Sequence, residues 1–201
     1  MMQPHRLLPV IVALLISATR ADDAPSRLAV DSRGFIHRWL VLEPIAVPGR
    51  LTQSAVNDAI ASARMPDVDG TAAWHAIDTP NYNLNLYHFA SALSKPTSNV
   101  LFWITTTIDS PREMHDVRLA IGSNAASRWW LNEEPVIALY DDRQTVIDDG
   151  VSRRITLHKG HNVIVAAVIN GGGATDFCAR FLDANDEPIL SLTSAIPEHA
   201  P

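Results

Sequence analysis

Val117-Arg-Leu-Ala-Ile-Gly-Ser-Asn-Ala-Ala-Ser-Arg-Trp-Trp-Leu131 decides how this chain reads. Its two apolar runs, 117–121 and 128–131, are too short for helices and are separated by a Gly-Ser-Asn turn, the pattern of successive strands. Outward from this stretch the pattern repeats at intervals of about ten residues, the spacing of a sandwich or barrel. Upstream, residues 99–108 put Val100, Phe102, Ile104 and Thr106 on one face, and the other face is also largely apolar, as in a central strand covered on both sides. Residues 84–90 read as the strand before it, with 91–98 as the loop between. Downstream, 136–140, 151–157, 162–170 and 176–183 complete the set, with 189–192 as a candidate last strand.

Two further elements precede these. Residues 35–42 form an apolar, β-branched strand ended by Pro44 and Pro48. Between 51 and 65, Ala55, Val56, Ala59, Ile60 and Ala63 make one helical stripe, with Thr52 or Ser54 as cap and Pro66 as stop. Residues 67–80 read as irregular chain. The expected architecture is all-β, a jelly-roll β-sandwich with one short N-terminal helix, in a single domain over 35–192. Residues 22–34 are expected to be a flexible N-terminus and 193–201 a frayed tail.

Composition narrows the function. Of 201 residues, 47% are hydrophobic and 19% charged, which suits a packed core and not a disordered chain. The 16 Lys+Arg against 22 Asp+Glu leave a net charge of −6, and Lys95 and Lys159 are the only lysines. Nothing here neutralises a phosphate backbone, so no nucleic acid is expected as a partner. The single cysteine, Cys178, excludes an intrachain disulfide and four-cysteine zinc modules. Within Phe177-Cys-Ala-Arg-Phe181 it reads as a small buried hydrophobe.

Residues 7–18 run apolar except for Pro9 and Ser17, after a short segment with His5 and Arg6. A run of about 12 is short of the roughly 20 that cross a bilayer as a helix. With small residues up to Ala21, residues 1–21 are expected to be a secretory signal peptide cleaved near that point, giving a secreted or periplasmic protein without a transmembrane segment. An uncleaved anchor or a buried N-terminal helix is the alternative.

Strand parity assigns the connections to two ends. If 117–121 runs up, the upper end collects 122–127, 141–150 and 171–175, whereas 132–135, 158–161 and 184–187 are short turns at the lower end. Connections longer than a reversal needs are where a β scaffold carries function, so the upper end is the expected binding surface. Asp141, Asp142, Asp148 and Asp149 in one loop suit a hard cation such as structural Ca²⁺, with Asp141 and Asp142 as metal candidates; Asp-rich turns also form merely because Asp satisfies turn backbones. No cofactor is required by any motif. Adjacent Trp129 and Trp130 point to opposite faces, leaving open whether both indoles are core or Trp130 is a platform for a sugar ring. Gly171-Gly-Gly173 serves either a close backbone approach to a ligand or a tight corner. His158-Lys-Gly-His161 resembles a ligand pair but reads better as a turn, and no Gly-x-Ser-x-Gly elbow surrounds Ser123.

The succession 117–124, then Trp130-Leu-Asn-Glu-Glu-Pro-Val136, Lys159-Gly-His-Asn162, and 163–170 ending on glycines resembles the galactose-binding-domain-like jelly rolls. The resemblance covers about residues 99–190 and departs from that pattern at Glu133-Glu134, where the hairpin usually has glycine. A vaguer similarity, reaching back to Trp74 and 81–90, is to domains attached to secreted bacterial polysaccharide-degrading enzymes of the acetylxylan esterase type. It implies a carbohydrate-binding module, with an exported enzyme as a partner. Asn124, Arg143, Asp148, Asp149, Asn170 and Asp176 would then hydrogen-bond polysaccharide or oligosaccharide hydroxyls, with Trp130 stacking. No catalytic motif is found. A hydrolase or hydrolase subunit using Asp148 or Asp149, and a module that docks another protein, are the alternatives.

Overall fold

The computed structural model describes residues 27–68 and 72–197, so the expected signal peptide at 1–21 lies outside the described residues. Strands β1 (Leu28–Ala29), β2 (Arg38–Leu42) and β3 (Ile45–Ala46) precede helix α1 (Gln53–Ser62). Next come β4 (Trp74–Asp78), β5 (Leu84–Asn85), helix α2 (Leu86–Ala92), β6 (Val100–Ser110) and β7 (Met114–Asn124). The chain continues through β8 (Ala126–Leu131), β9 (Glu134–Leu139), β10 (Gly150–Val151) and β11 (Ile155–Leu157). It ends on β12 (Gly160–Asn170), β13 (Asp176–Leu182) and β14 (Thr193–Ala195).

These strands form an all-β sandwich of two antiparallel sheets. The larger has nine strands in the order β1-β14-β6-β12-β8-β9, with β2 and β3 on β6 and β4 on β2; the smaller has five, β10-β7-β13-β5 with β11 on β7. Alternation along each strand decides what faces what. Phe102, Ile104, Ile164, Ala166, Val168 and Trp129 of the larger sheet meet Leu119, Ile121, Phe177, Ala179 and Phe181 of the smaller in one core. The opposite face of the larger sheet is also apolar: Leu101, Trp103, Ala126, Ala167 and Ile169 pack under Val56 and Ala59 of α1 in a second cluster. The two-sided burial expected for the 99–108 strand is therefore met by α1 on one side and the smaller sheet on the other.

Local chemistry explains where the elements depart from expectation. Residues 84–90 alternate as a strand would, but after two paired residues the chain turns into α2. The Asn85 side chain accepts from the His88 N–H at 2.8 Å as its N-cap, and Leu86 and Ala90, four apart, are both buried. Residues 74–78, expected to be irregular, pair with β2 as β4. Arg38 clamps the end of this pairing by donating to both Asp78 oxygens, Nε at 2.7 Å and Nη2 at 2.6 Å. The expected strand 151–157 is divided into β10 and β11 where Ser152 turns its Oγ to accept from the Leu119 N–H at 2.9 Å. Residues 189–192 are not a strand. Instead β14 follows them and pairs with β1 and β6, so residues 28–29 and 193–195, read from sequence as mobile ends, close the sheet edge.

Two turns show why the lower end is short. Asn132 and Glu133 both have positive φ, 50° and 69°, the two-residue geometry that glycine usually serves. Asn132 offsets the strain by accepting from the Val163 N–H at 2.8 Å and donating to Asn162 at 3.1 Å. Buried Asn162 in turn accepts from the His158 N–H and donates to the His158 carbonyl. The Lys-Gly-x-Asn segment is thus a side-chain-pinned hairpin, with Gly160 at φ 84°.

Replacing Trp129, which is fully buried, by alanine is expected to destabilise the fold by about 3–5 kcal/mol in chemical denaturation. The Arg38 guanidinium holds the Asp78 carboxyl below the ordinary carboxylate range. A lowered folded-state value stabilises above the unfolded value and is lost as pH falls through it. The pair's contribution is therefore expected to be intact above about pH 4 and to vanish below it. Asp78→Asn should flatten that acid limb of the stability curve, and an unchanged limb would refute the assignment.

Candidate functional site

Which residues meet at the upper end is decided by β7 and β13. Asp176 is paired with Asn124 across these strands and with Asn85 on the other side. Because Phe177, Ala179 and Phe181 point into the core, Asp176, Cys178 and Arg180 lie on the outer face of the smaller sheet. The segment 140–149 crosses onto that face. It starts beside the larger sheet, where the Asp141 N–H donates to the Leu51 carbonyl at 2.8 Å. Further on, Thr145 donates its hydroxyl to Asp176, 2.5 Å from Oδ1, and Asp148 receives both Nε and Nη2 of Arg180, with Nε at 3.0 Å.

The loop lies flat because Gly122 has no side chain. A Cβ there would stand 2.4 Å from the Val146 carbonyl oxygen and 3.1 Å from Cys178 Sγ. Cys178 sits beneath, 2% exposed, and burial pushes its thiol up to about 11. It is a packed, protonated thiol rather than a nucleophile.

A second segment joins from the other side. Asn83 donates to Asp176 Oδ2 at 2.6 Å, so the Asp176 carboxylate is held by Asn83 and Thr145 together. Tyr82, next in sequence, is 36% exposed and packs its ring on Phe35, centroids 5.4 Å apart. Phe35 bridges to Arg180 on β13, and the Arg180 and Arg33 guanidinium groups lie 5.1 and 5.0 Å from its ring centroid. Asp31 supports this corner. Burial raises its carboxyl, but N–H groups donated by Phe35 and Arg33 and the neighbouring His37 outweigh that and hold it low. A polar belt with one exposed aromatic ring therefore runs from Asn124 through Asp176 and Asn83 to Tyr82 and Arg33, with Asp148–Arg180 alongside.

The predicted residues divide. Asn124, Asp148 and Asp176 lie on this outer face. Asp149 is next to Asp148 and is paired with Arg143, whose Nη1 also reaches the Tyr140 carbonyl at 3.4 Å. Asn170 is fully buried; its amide donates to the Thr97 carbonyl at 2.6 Å and its oxygen accepts from the Gly172 N–H at 3.0 Å. The glycines beside it form a corner: a Cβ on Gly171 would stand 2.6 Å from the Gly49 carbonyl oxygen, and Gly173 has φ 79°. Trp130 is half-buried on the outer face of the larger sheet, its ring 6.0 Å from that of Trp103 with Arg128 over it. It lies four residues down β8 from the upper end, roughly 13 Å by strand rise.

Asp141 and Asp142 are exposed, while Asp148 and Asp149 are each occupied by an arginine, so the four carboxylates do not form one calcium cage. Among the described residues no group of three or more His, Cys, Asp and Glu side chains is arranged to hold a metal ion. His158 and His161 are exposed and face different acids, Glu113 and Asp109. Sequence reasoning missed Arg33, Tyr82, Asn83, Thr145 and Arg180. The aromatic Tyr82 within Asn-Tyr-Asn was a local signal, but the convergence of the rest is purely tertiary.

No protein-family model matches the chain, and no curated protein matches it. Among solved structures it is similar to a PA14 sugar-binding domain from an RTX adhesin, at 10% identity and a TM-score of 0.54, covering 81% of this chain and 99% of that one. It is also similar to the PA14 domain of the antifreeze protein MpAFP, at 12% identity and a TM-score of 0.50, covering 88% of this chain and 96% of that one. These likenesses support the β-sandwich fold, and they do so through PA14 domains rather than through galactose-binding-domain-like or esterase-attached modules in particular. Among the described residues no helix is long and apolar enough to cross a membrane.

The seating of the 140–149 segment is open to test. Gly122→Ala is expected to lift it and let a thiol reagent reach Cys178 about tenfold faster at pH 8, with the fold retained by circular dichroism. Labelling as slow as in the parent would show that the segment does not depend on this contact.

Proposed function

We propose that this chain is a secreted or periplasmic carbohydrate-binding β-sandwich that recognises polysaccharide without cleaving it. The observation that carries the reading is the belt itself: an exposed tyrosine ring beside amide, hydroxyl and carboxylate groups fixed by their own hydrogen bonds. A sugar presents an apolar ring face and a rim of hydroxyls, and this combination matches both. Asp176, locked by Asn83 and Thr145, is preorganised as an acceptor, so little ordering entropy is lost on binding. Asn124, Asp148, Asp149 and Arg143 extend the hydrogen-bonding rim, and Tyr82 takes the stacking role that sequence reasoning gave to Trp130. The sugar-binding description of the RTX adhesin domain is in keeping with this reading. Its finer form is a module that brings an exported polysaccharide-degrading enzyme to its substrate.

Affinity electrophoresis of the chain in gels containing xylan, acetylated xylan, pectin or cellulose, with and without Ca²⁺, tests it. The expected result is retardation on at least one polymer with neither acetate nor reducing ends released. Tyr82→Ala and Asp176→Ala are each expected to weaken retention by about tenfold without changing the melting temperature by more than a few degrees. Product release would overturn the non-catalytic reading. Migration unchanged on every polymer would overturn the carbohydrate reading and favour a protein-docking module.

A further inference from the structure

We infer that the sugar taken by this surface is acidic, a uronic-acid polysaccharide whose carboxylate is received by Arg33; this rests on the carbohydrate-binding reading above. Three arginines border the belt, and two of them are neutralised. Arg180 is engaged by Asp148, and Arg143 by Asp149. Arg33 differs. It is exposed, and its guanidinium lies 5.0 Å from the Phe35 ring centroid and 5.6 Å from that of Tyr82. Among the described residues no carboxylate or carbonyl accepts from that guanidinium, although the Arg33 backbone is tied down. Its N–H donates to Asp31 Oδ1 at 2.9 Å and its carbonyl accepts from Arg180 at 3.0 Å.

The consequence is a positive charge held in place with its donors unused. Contact with two aromatic rings restrains a guanidinium without using its N–H donors, which can meet a carboxylate in a two-point contact. Among the described residues, the acids around the belt are occupied. Asp31 accepts from two backbone N–H groups and faces His37, Asp148 is bound to Arg180, and Asp176 is held by Asn83 and Thr145. A uronate stacked on Tyr82 carries its carboxylate on the ring it stacks with, within reach of the neighbouring Arg33. Neutral sugars offer hydroxyls to the belt but nothing that matches this charge. With a net charge of −6 the molecule does not draw anions from a distance, so the discrimination is local.

The test titrates the chain with trigalacturonate and with the same trisaccharide fully methyl-esterified, which keeps the shape and removes the charge. The acid is expected to bind about tenfold more tightly than the ester, and Arg33→Gln should abolish that difference, so that the variant binds acid and ester equally. Arg33→Lys, which keeps the charge but not the planar fork, should restore only part of it. Equal binding of acid and ester, or a preference that survives in Arg33→Gln, overturns the acidic-sugar inference and leaves the carbohydrate reading standing. Binding of neither trisaccharide, with retention of a neutral polysaccharide in the gels, overturns the inference alone. Binding of no carbohydrate at all overturns both.

Discussion

Three rings hold the two sheets together. Trp39 of β2 and Trp129 of β8 come from the larger sheet and Phe177 of β13 from the smaller, and each touches the other two edge-on, with centroids 5.0 to 6.3 Å apart. The buried polar ends are satisfied without water: the Trp39 indole donates to the Ile36 carbonyl at 3.0 Å and the Trp129 indole to Ser127 Oγ at 3.0 Å. Large rings packed this way set both the spacing of the sheets and their mutual orientation. They also determine which residues of β13 face outward, and the candidate site is built on that outward row.

From that contact the molecule extends as layers. The larger sheet is apolar on both faces, so it needs a cover on the side away from the rings, and α1 supplies one through Val56 and Ala59. The smaller sheet is covered instead by the 140–149 segment, which is polar and lies on Gly122 and Cys178. The difference matters chemically. A helix cover buries its sheet face completely, whereas a polar segment leaves carboxylates, amides and an aromatic edge between itself and solvent. The Asp-rich segment and the Arg180 row neutralise each other, which accounts for a surface rich in charge on which Arg33, of the three arginines bordering the belt, is left without an acid among the described residues.

The strand pattern was legible where periodicity and burial agree. Residues 99–108, apolar on both faces, and the mostly apolar run 162–170 were recognisable as strands, and they became the paired β6 and β12. The pattern failed where two structures share it. Leu84 and Leu86 alternate as in a strand, yet Leu86 and Ala90 also satisfy a helical period, and the capping side chain of Asn85 decided between them. Edge elements were invisible for a related reason: β4, β1 and β14 are stabilised by pairing with distant chain, not by their own composition. Asn170 read as a ligand-contacting group, and the triple glycine fitted a ligand approach and a tight corner alike, because a strained corner and a binding loop call for the same residue types.

The amino-acid sequence by itself determined the all-β class, the central strands, the first amphipathic helix and the assignment of the long connections 141–150 and 171–175 to one end, because these follow from alternation, short-range periodicity and turn chemistry. Tertiary structure alone decided the site. Arg33, Tyr82, Asn83, Thr145, Asp148, Asp176 and Arg180 are spread over residues 33–180, most of the described chain, and no local rule links them. They meet because β13 is sandwiched with Phe177 inward, which turns Asp176 and Arg180 outward, and because Gly122 lets a remote segment lie against them. Side-chain convergence depends on pairing partners that are distant in sequence, and sequence periodicity carries no information about which distant partner a strand will find.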